Sequence, residues 1–596
     1  MIDIQDNYRE PRYESSYSRS CLLLTDRWSA PPLTMPNIVY RSPLPDVELP
    51  NEDLVSFLFS NPYNSPREKP LFIDAVSGSS HTYADVIRRT QSLACGLRNL
   101  GIQPDDIVSV MSPNSIEYPI ICYAIIGCGA TVAPSDASLA PDEVRHQLQI
   151  TQATFLIIHS SLMPTRKEAI KGTAVQCVIQ ADGEAARESG MPTVNDLVAG
   201  SPAQDLLMTP PTLLDKRPAF ICFSSGTTGP TKGVIITHHN ITANLQQWNA
   251  LYLRGISPSP TAVAFMPFSH ISGISTVVCG GMLRGTTTAI LPRFDIDVFL
   301  RNAQQLQPDE LSLVPPIAML LVNDPRVPKY NISSVKRVFS TAAPLSRELA
   351  RALEERFRTI HGTTVHCHQA WGMTETSPLA TGLPPDRIDR RHTVGCIAPN
   401  MEFRLVDPET LQDVMQVDAN GTLQPGEILC RGPNVTKGYY RNQAATRHLF
   451  HADADGVTWL RTGDIATIDL EGYLTIQGRI KEMIKYKGLQ IVPSELEGTL
   501  LQHPDIADCA VTARWAEEQA TELPVAFVVL TQSARSRCPS DVARCIDAWL
   551  TKRVTAHKRL RGGIRFIDTI PKSTSGKILR RQLQKRLAHI GPAPRI

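Results

Sequence analysis

Short apolar runs alternate with amphipathic stretches along most of the chain, and the two periods separate cleanly. "DIVSVMS", "ATFLIIH", "AVQCVIQ" and "TTTAILP" are brief, β-branched and bounded by polar residues, which predicts buried strands. "ADVIRRTQSLACGLRNLGI" spaces its apolar residues at helical intervals and stops at Gly101, a predicted C-terminal cap. "LSRELARALEERFRTIHG" repeats that pattern. "YPIICYAIIGCGATVAP" is apolar all round but too short and too glycine-interrupted to span a bilayer. It predicts a buried helix leading into a strand. Strands alternating with helices imply parallel α/β layers.

Near residue 400 the pattern changes. "MEFRLVDPETLQDVMQVDANGTLQPGEILCRGP" is short strands punctuated by Asn420–Gly421 and Pro425–Gly426, which predicts antiparallel β. After Arg479 a smaller α+β unit follows, with the strand "LPVAFVVLTQ", the helix "PSDVARCIDAWLTKRV" and a basic tail. Residues 1–36 are polar, tyrosine-rich and irregular, and read as a disordered or peripheral extension.

Composition narrows the function classes. A chain of 596 residues exceeds one ordinary core, so more than one domain is expected. Sixty basic residues face 58 acidic ones, a net charge of +2, which favours neither nucleic acid nor a membrane surface. Thirteen scattered cysteines without a CxxC pair predict reduced thiols inside a cell. "HCHQ" (residues 366–369) offers metal-binding types, but neighbours on a strand point to opposite faces, so core histidines are expected. The N-terminus lacks the basic start and apolar core of a secretory signal. The last residues, Pro594, Arg595 and Ile596, are near the small–basic–aliphatic tripeptide of a peroxisomal address but begin with proline. A cytoplasmic or peroxisomal location follows.

The candidate chemistry starts at "FICFSSGTTGPTKGVIITHHN" (residues 220–240). It is not the Walker loop, because Lys232 is followed by Gly233 and then by a β-branched strand rather than a helix. It predicts a hairpin-like loop whose N–H groups and hydroxyls form a nest for phosphate. Four further motifs follow in order: "QAWGMTETSPLA", "WLRTGDIATID", "GRIKEMIKYKGLQIVPSELE" and "IPKSTSGKILRRQL". With the loop, they resemble the motifs of the adenylate-forming superfamily. The branch is that of acyl-CoA and aryl-CoA ligases, which includes coumarate–CoA ligases and beetle luciferases.

That resemblance implies a fold. It is a large α/β N-terminal domain of two subdomains plus a small antiparallel β-barrel, over residues 37–478. A hinge at 479–481 and a mobile α+β domain at 482–588 complete it, with a tail at 589–596. The implied reaction joins a carboxylic acid to AMP with loss of pyrophosphate, then passes the acyl group to CoA. The acid is fatty, aromatic or a specialised metabolite. The alternative acceptor is a carrier-protein phosphopantetheine. ATP, Mg²⁺ and CoA are the implied cofactors and substrates, and neither nucleic acid nor an integral membrane association is expected.

The resemblance also implies residue roles. Ser224, Ser225, Gly226, Thr227, Thr228 and Lys232 would hold phosphates. Gln369, Ala370 and Trp371 would line the adenine site, with Trp371 in a position that usually carries tyrosine. Thr374 would meet the α-phosphate and Glu375 would bind Mg²⁺. Asp464 would accept both ribose hydroxyls, and Arg479, Lys481 and Lys485 would serve the nucleotide. Lys577 would be the catalytic cation, withdrawn when the small domain turns. Arg293, Lys487 and Gly488 would bind CoA. His270 would sit beside the carboxylate, and Ser272, Thr276 and Ala342 would form the acyl pocket. Ser272 stands where coumarate ligases carry a bulky tyrosine, which implies a roomier pocket. Thr341 and Ala370 replace glycines. The basic run "LRRQLQKR" after Lys577 reads as a solvated face.

Overall fold

The computed structural model describes residues 38–183, 190–224, 231–252, 260–341, 343–414, 424–487, 489–573 and 576–589. The extension 1–36, the last residues of the tail, Ser225, Gly226, Thr227, Thr228, Ala342 and Gly488 lie outside the described residues.

A six-stranded sheet forms the first layer. Its order is Cys177–Gln180, Phe155–Ile158, Ile107–Met111, Thr131–Ser135, Pro218–Ser224 and Lys232–Thr237. All pairs are parallel except the last, which is the expected hairpin. Ile107–Met111 and Thr131–Ser135 are buried at every residue, as parallel strands covered on both faces must be. The helix Glu117–Ile126 buries its own Tyr118 and Tyr123 completely, in a core that also holds the fully buried Phe220. The helix Tyr83–Asn99 starts on a Thr82–Asp85 capping box, and Gly101 takes φ +101° just past its end.

A second sheet combines Thr261–Ala264, Thr287–Ile290, Pro70–Asp74 and Ser80–Thr82. A third runs Glu310–Leu313, Arg337–Ser340, His366–Gly372, Leu379–Gly382 and Cys396–Ile397, parallel over its first three strands. The antiparallel unit expected after residue 400 is a curled sheet built on Glu402–Val406, Gly426–Arg431 and Thr458–Ile468. Leu474–Arg479 pairs with the last of these and leads out of it.

The C-terminal part has its own core. Ile506–Ala516, Thr521–Leu530 and Ile564–Phe566 form its sheet. The helix Pro539–Thr551 lays Val542, Ile546 and Leu550 against it, a four-residue spacing that makes one stripe. Each such side chain contributes roughly 1.5–3 kcal/mol of burial. The helix Arg580–His589 docks through Leu583 and Leu587.

The solvated reading of "LRRQLQKR" needs one correction. Arg581, Lys585 and Arg586 are exposed, but Arg580 is turned inward. Its guanidinium meets Glu482 at 3.1 Å and both oxygens of Glu497 at 2.5 and 3.0 Å. It also donates to the Val511 carbonyl at 3.3 Å. Helical spacing alone cannot separate a solvated arginine from one whose partners lie far away in sequence.

Glu497 is 7% exposed, so removing its cation leaves an unpaired buried carboxylate. Arg580→Met should therefore destabilise the C-terminal part by about 3–5 kcal/mol. Adding Glu497→Gln should recover part of that loss. Calorimetry and limited proteolysis of the full chain read both effects. A loss under about 1 kcal/mol, on the scale of an exposed pair, would refute the clamp.

Candidate active site

The ends of these elements converge on one cleft of about 2570 Å³. Ser224 and Lys232 face each other across the base of the hairpin, and both line the cleft. The Lys232 ammonium lies 4.7 Å from the centre of the Tyr439 ring. The Tyr439 hydroxyl in turn donates to Glu375 Oε1 at 2.9 Å. Tyr439 was not singled out from sequence; its only signal is its place in "KGYY", and tyrosine is common in cores and on surfaces alike.

Glu375 and Thr374 sit on a short 3-10 turn, Thr374–Thr376, directly after the strand His366–Gly372. The turn closes tightly because Gly372 has no side chain; a Cβ there would lie 1.9 Å from the Pro378 carbonyl oxygen. Glu375 is only 5% exposed yet lines the cleft, and its second anchor is backbone, Thr436 N–H to its carbonyl at 2.9 Å. A buried carboxylate held this way is a hard oxygen donor that fits Mg²⁺.

On the same strand, the Gln369 side-chain oxygen accepts the Leu345 N–H at 2.8 Å, and Ala370 is half-buried. Trp371 turns the edge of its indole to Asp464, with Nε1 donating to Oδ2 at 2.9 Å. Asp464 lies opposite Arg479 in the ladder between Thr458–Ile468 and Leu474–Arg479. Arg479 Nε stands 3.0 Å from Asp464 Oδ1, an ion pair off the hydrogen-bonding line. Asp464 thus already has a donor on one oxygen, with lone pairs left for others.

His270 caps a short helical segment, Ile271–Gly273, by accepting the Ser272 N–H on Nδ1 at 3.2 Å. An N–H only donates, so the neutral ring carries its hydrogen on Nε2. The Ser272 hydroxyl also turns back to Nδ1, at 2.8 Å, although Ser272 remains on the cleft wall. The next turn, Ile274–Cys279, is π-helical, and Thr276 bonds the Ser272 carbonyl at 2.7 Å. Gly273 permits this: a Cβ would meet the Pro267 carbonyl oxygen at 2.3 Å.

Lys577 reaches the cleft from the C-terminal part, in a turn closed by Ser573 N–H to the Lys577 carbonyl at 2.8 Å. Lys481 lines the cleft as well. Arg293, Lys485 and Lys487 do not: all three are exposed, and Lys487 stacks over Tyr486. Cys367 and His368 of the "HCHQ" run are buried, and burial lowers the His368 pKa to about 4, which leaves it an uncharged core residue.

The AMP-binding enzyme family matches residues 58–440, and its C-terminal domain family matches 495–577. The chain is an AMP-binding enzyme, of the adenylate-forming superfamily. It is 34% identical to 4-coumarate–CoA ligase 1 of Petroselinum crispum, over 93% of this chain and 97% of that one. It is 31% identical to peroxisomal OPC-8:0-CoA ligase 1 of Arabidopsis thaliana, over 91% and 95%. A long-chain-fatty-acid–CoA ligase structure from Archaeoglobus fulgidus is 25% identical, with a TM-score of 0.67, covering 89% of this chain and 99% of that chain. An anthranilate–CoA ligase bound to anthranoyl-AMP, 23% identical with a TM-score of 0.77 over 90% and 98%, shares the fold. Among the described residues no helix is long and apolar enough to cross a membrane.

The charges of this AMP-binding enzyme are set by burial and by one another. Burial and the nearby Arg479 guanidinium bring the Lys577 pKa down to about 8, while Glu482, Asp464 and Glu375 pull it back up. Burial lowers His270; Asp136 opposes that and Lys577 adds to it. A neutral His270 can donate from Nε2 to a carboxylate oxygen. Asp136 and Glu482, which line the same cleft, were not picked out from sequence, since a lone acid carries no signal.

Lys577 is a cation below its pKa and loses its charge as pH rises through about 8. If it serves catalysis as a cation, kcat/KM for pyrophosphate release should fall on the alkaline side with a midpoint near 8. Lys577→Arg should be slower but lack that limb, since guanidinium stays charged. A profile of the wild type that stays flat from about pH 7 to 9 would rule out a Lys577 cation that titrates there.

Proposed function

We propose that the enzyme is an ATP-dependent acyl-CoA ligase. One carboxylate oxygen of the acid bonds to the α-phosphorus of ATP and pyrophosphate leaves. The CoA sulfur then bonds to the acyl carbon and AMP leaves. The observation that carries this reading is the company Lys577 keeps. It shares the cleft and the electrostatic field of Asp464, Glu375, Arg479 and His270, although it comes from the other part of the chain. The relatives' names support it, since the plant proteins are CoA ligases.

In the first half-reaction Lys232 and Ser224 take the β- and γ-phosphates, with the loop between them. Trp371 and Gln369 border the adenine, and Asp464 takes the ribose. Thr374 donates to the α-phosphate. Glu375 would hold Mg²⁺, which when bound offsets phosphate charge. His270 orients the carboxylate, and the Lys577 ammonium balances negative charge that grows on the transferring group. Ser272 and Thr276 border the acyl chain, and the size of Ser272 favours an acid bulkier than a tyrosine would admit.

The second half-reaction needs a different arrangement. Lys487 and Arg293, expected to bind CoA, stand outside the cleft in the state described, which suits a protein poised for adenylation; Lys485, expected to serve the nucleotide, stands outside it as well, and the cleft gives no support to that role. We place the hinge at residues 479–481. Rotation there would withdraw Lys577 and present Lys487, with Arg293 contributing a second cation for CoA phosphates.

A panel of aromatic and fatty acids, assayed for pyrophosphate release without CoA and for thioester with it, tests the activity. An acid adenylated but never transferred to free CoA would redirect the second step to a carrier protein. The residue assignments are tested by separating the halves. Lys577→Ala should abolish acyl-AMP formation yet convert supplied acyl-AMP and CoA to thioester. Lys487→Ala and Arg293→Ala should form acyl-AMP but transfer it about tenfold more slowly or worse, the loss of one charge-assisted bond. Equal loss of both halves in all three variants would defeat the two-state reading.

A further inference from the structure

The bond between Trp371 and Asp464 is a buried side-chain contact between residues 93 positions apart, on strands of two different sheets. Trp371 is 8% exposed and Asp464 3%, and both line the cleft. The indole N–H donates and cannot accept, so it satisfies a carboxylate oxygen and disfavours its protonation. The neighbouring T-shaped contact with Phe403, 5.9 Å between ring centres, limits rotation of the indole.

The other oxygen is left in an unusual state. Oδ1 is buried, faces Arg479 Nε at 3.0 Å, and accepts no hydrogen bond among the described residues. A buried carboxylate oxygen without a donor is costly unless a ligand supplies one. The arrangement divides the carboxylate: Oδ2 is fixed by the indole, and Oδ1, covered by the Arg479 guanidinium, would take a hydroxyl once that guanidinium turns aside.

We propose that Trp371 is a positioning residue for the nucleotide, its indole N–H aiming the Asp464 carboxylate so that Oδ1 receives a ribose hydroxyl. The inference rests on the assignment of Asp464 to the ribose. It adds to the aromatic surface of Trp371 a polar task that its edge alone performs.

Charge retention follows from the same geometry. Burial pushes the Asp464 pKa up, while Arg479 from the neighbouring strand, the Trp371 bond and Lys577 pull it down. Glu482 opposes them, and the buried Cys430 thiol also faces Asp464. The hydroxyl needs the ionised acceptor, so losing the Trp371 donor moves the acid limit of nucleotide binding to higher pH.

Trp371→Phe keeps a flat ring and removes the donor. In the full-length enzyme, KM for ATP in the pyrophosphate-release assay should rise about tenfold, with KM for the acid near the wild-type value. The acid limb of kcat/KM for ATP should shift upward in pH. In an Asp464→Ala background, which itself binds ATP weakly, Trp371→Phe should add no further loss and no limb shift. Calorimetric titration with ATP gives the same comparison without turnover. If Asp464→Ala loses ATP affinity while Trp371→Phe changes neither KM nor the limb, the indole only packs and the inference is overturned. It is equally overturned if Trp371→Phe raises both KM values alike with no limb shift. If Asp464→Ala itself binds ATP normally, the ribose assignment fails first.

Discussion

The ammonium of Lys577, partly stripped of water among Asp464, Glu375 and Glu482, is the interaction on which the cleft depends. A site that brings a carboxylate to a polyphosphate must gather positive charge where no water screens it. Lys232 and Arg479 supply part of that charge from the scaffold. Lys577 supplies the rest from a part of the chain with its own core, so the field of the cleft depends on where that part sits. Its lowered pKa is the cost of this placement: the cation is poised near the edge of its own ionisation.

The scaffold explains why so few loops are needed. Parallel strands end together at one edge of a sheet, and the turns that follow them fall side by side. Here three different sheets each send one such ending to the cleft: the hairpin base at Ser224 and Lys232, the turn at Thr374–Thr376 and the segment starting at His270. The curled antiparallel sheet adds Asp464 and Arg479 as cross-strand partners, which fixes their spacing through the backbone ladder. On the far side, Arg580 ties the turn bearing Lys577 to Glu482, immediately after the proposed hinge, and to Glu497. Movement at the hinge would thus be handed to Lys577 through ionic contacts rather than through a flexible linker.

Much of this was legible in the order of residues. The strands and helices followed from periodicity because a strand buried on both faces and an amphipathic helix leave distinct patterns. The hairpin at Lys232 was readable because "GVIITH" is β-branched, which excluded a helix after the loop. What stayed hidden was pairing across long separations. Nothing in "KGYY" says that Tyr439 meets Glu375, 64 residues away, and nothing in a basic run says that Arg580 faces inward. The bond that fixes Asp464 Oδ2 was hidden too, because it depends on an indole edge contributed by another sheet.

The π-helical turn Ile274–Cys279 has a consequence for how such a pocket changes over time. A π turn carries one residue more than α register, and one residue is about 100° of helix rotation. Deleting a residue there would restore α register and swing Ser272 and its neighbours around the axis, while Gly280–Arg284 stayed packed behind them. The wall of the proposed acyl pocket is thus joined to the fold by a phase-shifting coupling. Insertion and deletion, as well as substitution, are open to a lineage that needs to accept a different acid.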